Sequence, residues 1–318
     1  MKKLIIGAYG QIGSELRVAL EKRHGLHSVM AADIRKPESE DSDFVLLDAT
    51  EKDSVFGLLE SEEVDEVYLL AALLSAKAEQ MPQQAWRINM QVLFNLLEAG
   101  KEGLFKKLFW PSSIAVFGPH TPKQHTPQYT VMDPDTVYGI SKLAGERWME
   151  YYFEKYGLDV RSLRYPGILS WKTAPGGGTT DYAVEMFHYA LRHEPYVCYV
   201  APGERLPMMY IDDAVEGTLQ LMSAPAEKLR IRSSYNLSGI DFTPEELARA
   251  IRRYIPGFRV EYRPDFRQQI AATWPDSIDD RFAREDWGWR PRFDLDKMVR
   301  EMLAGLKQTQ YPEAELSL

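Results

Sequence analysis

Cysteine is nearly missing. Cys198 stands alone in 318 residues, which excludes an internal disulfide and fits a reducing compartment. The six histidines are scattered, and both His120/His125 and His188/His193 are five apart, poor spacing for shared ligands on one helix face. No metal is expected. No apolar run approaches the roughly eighteen residues that a membrane span needs. The opening Met1-Lys2-Lys3-Leu4-Ile5-Ile6 leads directly into a glycine turn, without a signal-peptide apolar core or cleavage site, so a cytoplasmic location is the expectation. Positive charge is in deficit: 38 Lys and Arg against 47 Asp and Glu give a formal net charge of −9. A field of that sign repels nucleic-acid backbones and anionic membranes and leaves a small molecule as the expected partner. With 45% hydrophobic and 27% charged residues, no internal repeat and no low-complexity tract, the chain reads as an ordinary globular protein.

The first half alternates short apolar runs with amphipathic stretches, the pattern of βαβ units around a parallel sheet. Strands are predicted at 3–6, 28–33, 44–47, 66–70, 107–110 and 159–164, with helices at 12–22, 52–60, 84–99 and 138–156. The fold class is α/β, a doubly wound Rossmann sheet with a smaller α/β lobe. After Arg164 the rhythm breaks at Pro166, Gly167, Pro175 and Gly176-Gly177-Gly178. A nucleotide-binding domain over 1–165, rejoined by about 210–240, and a substrate lobe from 166–209 and 241–318 follow from that break. Thr243-Pro244-Glu245-Glu246 is a helix start with a capping box, and the end of the chain from Gln308 is expected to fray.

The first strand runs into Gly7-Ala8-Tyr9-Gly10-Gln11-Ile12-Gly13 and then a helix. Glycines at that junction let backbone amides and a helix N-terminus approach a pyrophosphate. Asp33 ends the second strand, where a carboxylate accepts from an adenosine ribose hydroxyl and repels a 2′-phosphate, so NAD is expected over NADP. Arg35 and Lys36 lie close enough to soften that exclusion. Asp48-Ala49 and Ala71-Ala72-Leu73 fall at the same ligand-bearing edge of the sheet.

Tyr138 and Lys142 stand four apart at a helix start and project from one face. A tyrosine with a pKa of about 10 is a poor base near neutral pH, but a neighbouring ammonium and a cationic nicotinamide favour its phenolate. Ser112-Ser113 follows the 107–110 strand at the same edge, and one of these hydroxyls can bind the substrate oxygen.

Gly7-x-x-Gly10-x-x-Gly13, Asp33, the Ser112–Gly118 stretch and Tyr138-x-x-x-Lys142 resemble the extended short-chain dehydrogenase/reductase superfamily, in the branch that includes UDP-galactose 4-epimerase. The resemblance implies NAD and a Ser-Tyr-Lys set, with Ser113 as the catalytic hydroxyl and Ser112 as the alternative. It also places Gly7, Gly10, Gln11, Ile12, Gly13, Asp33, Ile34, Arg35, Asp48, Ala49, Ala71, Ala72, Tyr138, Lys142 and Ile168 around the cofactor. Nucleotide-sugar epimerases usually carry Arg-Tyr-Phe-Asn after the catalytic helix and an Arg-Asp pair further on. Here Leu163-Arg164-Tyr165-Pro166-Gly167 and Leu206-Pro207-Met208-Met209 stand instead, and the diphosphate grip is missing.

Leu73–Lys77, Pro175–Ala183 and Trp274–Asp280 are similar to the short-chain type of L-threonine 3-dehydrogenase. That family oxidises L-threonine at C3 to 2-amino-3-oxobutanoate, which decarboxylates to aminoacetone or passes to a coenzyme A ligase forming glycine. Ser75, Ser113, Tyr138, Gly178, Thr179, Thr180 and Asp181 are the substrate residues so implied, the hydroxyls and amides suiting a carboxylate and Asp181 an ammonium. A nucleotide-sugar epimerase or dehydratase, and a non-catalytic dinucleotide-binding regulator, are the alternatives. A homodimer is expected by analogy, with Ile88, Val92, Leu96, Trp148 and Tyr152 serving either the seam or the core. Cys198 reads as a buried inert thiol, Arg249, Arg252 and Arg253 as a solvated helix face, and Trp287-Gly288-Trp289 as packing.

Overall fold

A computed structural model describes residues 1–37, 41–173, 176–314 and 316. Pro175 of the glycine-rich loop lies outside them. Six parallel strands form the main sheet: β1 (Lys3–Ile6), β2 (Val29–Asp33), β3 (Phe44–Leu46), β4 (Glu66–Leu69), β5 (Lys107–Phe109) and, after a two-residue strand β6 (Ser112–Ser113), β7 (Asp159–Arg161). Their order is β3-β2-β1-β4-β5-β7, with the chain reversing direction of growth between β1 and β4. Such a reversal opens a crevice at the carboxyl ends of the strands.

The crossovers are α1 (Gln11–His24), α2 (Lys52–Glu62), the short α3 (Ser75–Gln80) leading into α4 (Pro82–Lys101), and α5 (Val137–Tyr156). Alternate residues of each strand enter different cores. Ile5, Ala31, Tyr68 and Phe109 pack with α1 on one face, whereas Leu4, Ile6, Val67 and Leu108 pack with α4 and α5 on the other. Because both faces are covered, the strands carry near-continuous apolar runs, which is why they were legible as strands.

The expected strand at 159–164 is two. β7 ends at Arg161, and β8 (Leu163–Tyr165) leaves the main sheet to lie between β6 and β12 (Tyr235–Asn236). Arg161 turns its guanidinium onto the carbonyls at the end of α7 (Ile211–Ser223), among them Leu221 O at 2.6 Å, and anchors the switch. β9 (Gly167–Leu169) pairs with β11 (Leu206–Tyr210), which also pairs with β13 (Ile240–Phe242). β10 (Tyr196–Cys198) and β14 (Val260–Tyr262) make a separate two-stranded ladder.

The remaining helices are α6 (Tyr182–Leu191), α8 (Pro244–Arg252), α9 (Phe266–Ala271), α10 (Arg281–Trp287) and α11 (Leu295–Thr309). α8 starts with the expected capping box between Thr243 and Glu246. The start of the tail is better held than its sequence suggests, since α11 reaches Thr309 and the Tyr311 hydroxyl lies 2.9 Å from His188 Nδ1 on α6; residues 315, 317 and 318, also expected to fray, lie outside the described residues. Val92, Leu96 and Tyr152 are buried against the sheet, so of the five residues weighed for a dimer seam only Trp148 is prominently exposed. Cys198 is buried, with its thiol pKa pushed up to about 12 by desolvation, and Trp289 is wholly in the core. Arg252 and Arg253 pair with Glu245 and Asp296 at the surface. No described helix is long and apolar enough to cross a membrane.

Candidate active site

The turn after β1 has the shape its glycines dictate. Gly7 has φ +87°, and a β-carbon on it would lie 2.7 Å from Ala71 N at the end of β4. A β-carbon on Gly13 would lie 2.3 Å from Gly7 O. Only hydrogen fits at either place, and the turn thereby presses α1 against β1 with its N-terminus open. Asp33 Oδ2 accepts from Tyr9 N at 3.2 Å and Oδ1 from Arg35 N at 3.1 Å, which fixes the carboxylate beside the turn. The Arg35 side chain points largely to solvent, its Nε 3.9 Å from Asp33.

A cavity of about 610 Å³ opens along this edge. Gly7, Asp33, Ile34, Asp48, Ala49, Ala71 and Ala72 line it as expected, joined by Thr50, Glu51, Arg87 and Gln91. The α4 contribution was missed by sequence reading, although asparagines on a largely apolar helix were the available signal. Asn95 Nδ2 donates to Ala49 O at 2.9 Å, and Asn89 clasps Leu73 through both its N–H (2.8 Å) and its carbonyl (3.1 Å). A dinucleotide fits this cradle: a turn where Gly7 and Gly13 leave no room for a β-carbon, an open helix N-terminus and a fixed carboxylate at the end of β2.

The second cavity, about 160 Å³, joins Gln11, Ile12 and Ile168 to Ser112, Ser113, Tyr138 and Lys142, and these to Ser75, Gly178, Thr179, Thr180 and Asp181. Gln11 Nε2 donates to Ile168 O at 3.4 Å, closing one side. Every catalytic and substrate residue expected from the sequence lines this one space. Thr136 caps α5 by accepting from Gly139 N at 3.1 Å, which starts the helix where Tyr138 and Lys142 face β6. Tyr138 is half-buried. Burial pushes its pKa up to about 12, against a lowering hydrogen bond with Ser113. Lys142 is buried, donates to Pro111 O at 2.6 Å and sits 4.3 Å from the centre of the Trp110 ring. Burial pushes its pKa down to about 7, partly opposed by the charge of Glu146.

The two serines separate clearly. Ser112 is buried and donates to Glu146 Oε1 at 2.6 Å, whereas Ser113 Oγ accepts from Ala115 N at 3.2 Å and reaches the Tyr138 hydroxyl. On the substrate side, Ser75 Oγ and Thr179 Oγ1 are 3.4 Å apart and both buried. Asp181 Oδ2 accepts from Gly177 N (2.7 Å) and Gly178 N (2.8 Å), so this carboxylate shapes the glycine loop as well as lining the cavity. Trp274, 5% exposed, forms a wall that sequence reading placed in a family-like stretch without a role.

Residues 3–238 match the family described as NAD dependent epimerase/dehydratase, and the chain belongs to that family. Several solved L-threonine dehydrogenases are similar to it over nearly the whole chain. The GalE-like L-threonine dehydrogenase from Cupriavidus necator in its holo form is 53% identical, covers 96% of this chain and 100% of its own, and superposes with a TM-score of 0.93. A metagenomic L-threonine 3-dehydrogenase described as monomeric is 46% identical, with 96% and 99% covered and a TM-score of 0.93. An uncharacterized epimerase/dehydratase of Staphylococcus aureus is 46% identical over 314 residues, 97% of this chain and 98% of the relative.

Proposed function

We propose that the protein is an NAD-dependent L-threonine 3-dehydrogenase, oxidising the 3-hydroxyl to give 2-amino-3-oxobutanoate. The observation that carries this reading is the 160 Å³ cavity, in which Ser113, Tyr138 and Lys142 face Ser75, Thr179 and Thr180 across a space suited to a small polar substrate. The similarity to L-threonine dehydrogenases of 46–53% identity over nearly the whole chain supports it. Gly7, Gly10, Gln11, Ile12 and Gly13 would hold the pyrophosphate, Asp33 the adenosine ribose, and Lys142 and Ile168 the nicotinamide end. When bound, NAD supplies the hydride acceptor.

Tyr138 Oη takes the proton from the substrate 3-hydroxyl, and Ser113 Oγ donates a hydrogen bond that orients that oxygen. Lys142, as the ammonium, favours the Tyr138 phenolate. Ser75 and Thr179 offer hydroxyl donors to the carboxylate, and Asp181 offers an acceptor to the ammonium. Asp33 favours NAD over NADP because a 2′-phosphate would meet its carboxylate.

A nucleotide-sugar reading is less well supported. β11, which occupies the place of the diphosphate grip, is buried along its whole length from Leu206 to Tyr210 and carries no cation. We also propose self-association through α4 and α5, where Trp86, Ile140, Trp148, Tyr151 and Tyr156 leave apolar surface exposed. Light scattering at working concentration tests it, and a monomer refutes it. For the activity, NADH formation is measured with NAD and L-threonine, L-allo-threonine, L-serine and D-threonine, with UDP-galactose assayed for epimerisation. Selective turnover of L-threonine is expected, and epimerisation without amino-acid turnover overturns the reading.

A further inference from the structure

The reacting groups lie on two elements that the main sheet does not join. β6 carries Ser113, and α5 carries Tyr138 and Lys142. Glu146 lies one turn beyond Lys142 and two beyond Tyr138 on the same face of α5, and it is wholly buried. An unpaired carboxylate in that place would cost several kcal/mol. Instead both its oxygens are filled. Ser112 Oγ donates to Oε1 at 2.6 Å, Arg164 Nε to Oε1 at 2.8 Å, and Arg164 Nη2 to Oε2 at 2.7 Å.

Arg164, 2% exposed on β8, carries the connection onward. Its Nη1 donates to Gln128 O at 3.1 Å and to Asn236 Oδ1 at 3.0 Å. Asn236 Nδ2 donates to Thr126 O at 3.0 Å and to Asp279 O at 3.2 Å. Thr126 N in turn donates to Ser277 O at 2.9 Å, and Asp276 N to Lys123 O at 2.9 Å, which holds the segment bearing Trp274. A path of hydrogen bonds and short backbone segments therefore runs from Glu146 on the catalytic helix, to which Ser112 ties the serine strand, through Arg164 and Asn236 to the segment that carries Trp274.

We propose that Glu146, through Ser112 and Arg164, is a positioning residue that fixes Ser113 against Tyr138 and ties both to the Trp274 wall. Nothing in the proposed chemistry needs Glu146 to touch substrate, and the buried pair gains no stability that a packed apolar pair could not provide. Its place on the face shared by Tyr138 and Lys142 gives it a use: a bidentate guanidinium fixes both the position and the rotation of the carboxylate, and Ser112 fixes the strand to it. The same charge opposes the desolvation of Lys142, whose amine also meets the Pro111 carbonyl and the rings of Trp110 and Tyr138.

The inference rests on Ser113, Tyr138 and Lys142 as the alcohol-oxidising set, not on threonine as the alcohol. Ser112→Ala removes one hydrogen bond and keeps the ion pair; Glu146→Gln keeps the volume and an acceptor for Ser112 but removes the charge. Expected are a kcat about tenfold lower for Ser112→Ala and about a hundredfold lower for Glu146→Gln, from the usual worth of hydrogen bonds to a charged partner. KM for NAD stays within about threefold of wild type, because the adenosine end of the cradle is untouched. A purely structural role would raise KM for NAD along with the loss of kcat, and that result, or an unchanged kcat in folded variants, overturns the proposal. If Glu146→Gln does not fold, Ser112→Ala decides.

If wild type oxidises a different alcohol, the threonine reading fails while the same comparison is made on that alcohol. Amide hydrogen exchange gives a readout without turnover. Residues 112–116 and 138–146 should exchange about tenfold faster in Ser112→Ala than in wild type, with β1 and β2 unchanged. Equal exchange at 112–116 also overturns the proposal.

Discussion

Replacing Tyr138 with phenylalanine takes one oxygen from the cavity and leaves the ring. In the cofactor-free protein burial holds this phenol at about 12, so near pH 8 only about one molecule in 10⁴ is a phenolate. That value already includes the lowering hydrogen bond with Ser113, so a cationic nicotinamide, with Lys142 once the phenolate beside it holds it as the ammonium, must make up a difference of about 5 kcal/mol. Of the other described groups lining the cavity, Lys142 is turned to the Pro111 carbonyl, to which it donates at 2.6 Å. Asp181 is engaged by two loop amides, and the Tyr165 hydroxyl is bonded to Thr218. Loss of a positioned base typically costs ~10²–10⁴ in rate, or about 3–5 kcal/mol of transition-state stabilisation. Folding loses only the hydrogen bond to Ser113, about 0.5–1.5 kcal/mol, so Tm should fall by no more than about 6 °C. NADH absorbance with saturating NAD and L-threonine measures the rate, and NADH fluorescence titration measures cofactor affinity. Turnover within about tenfold of wild type would refute Tyr138 as the base.

Asp33→Ala should raise the NADP-to-NAD ratio of kcat/KM by about 10- to 100-fold, the worth of a charge-assisted hydrogen bond lost to NAD and a repulsion lifted from NADP; an unchanged ratio contradicts that role. Gly13→Ala puts a β-carbon 2.3 Å from Gly7 O and 2.9 Å from Ala8 Cα, so the turn must shift; a loss of about 1–3 kcal/mol in stability and weaker NADH binding are expected by thermal unfolding and titration, and a wild-type Tm with wild-type affinity is the contrary result. Lys142 is held at about 7 in the folded cofactor-free protein, against an ordinary lysine in the unfolded chain near 10.4. Between those values the unfolded chain binds more protons, so this lysine makes stability rise with pH across that window. Lys142→Met should remove that rise, and parallel Tm–pH curves for variant and wild type would show the inference to be wrong.

The main sheet was readable because its strands are covered on both faces and therefore apolar at nearly every position, as in Val29–Asp33 and Glu66–Leu69. The break after Arg161 was not. Val160, Leu163 and Tyr165 are equally buried, and what divides them is the choice of partner strand, with Arg161 bound to carbonyls some 60 residues on. Local spacing found Tyr138 and Lys142 because one helix face carries both. It could not separate Ser112 from Ser113, since the group that distinguishes them is Glu146, 34 residues away. Trp274 reaches the cavity from a distant segment held by backbone bonds to 123–126, for which no local pattern exists. Val92, Leu96 and Tyr152 show the converse: helical periodicity marks an apolar face but not which neighbour covers it.

The most direct test of the account follows the hydrogen on C3. L-threonine deuterated at that carbon is incubated with NAD and the protein, and the product cofactor is examined by mass spectrometry and by NMR at nicotinamide C4. The account predicts one deuterium in each NADH, 2-amino-3-oxobutanoate or aminoacetone in equal amount, and loss of both with Tyr138→Phe. Unlabelled NADH, or no NADH from L-threonine while UDP-galactose is epimerised, would contradict it.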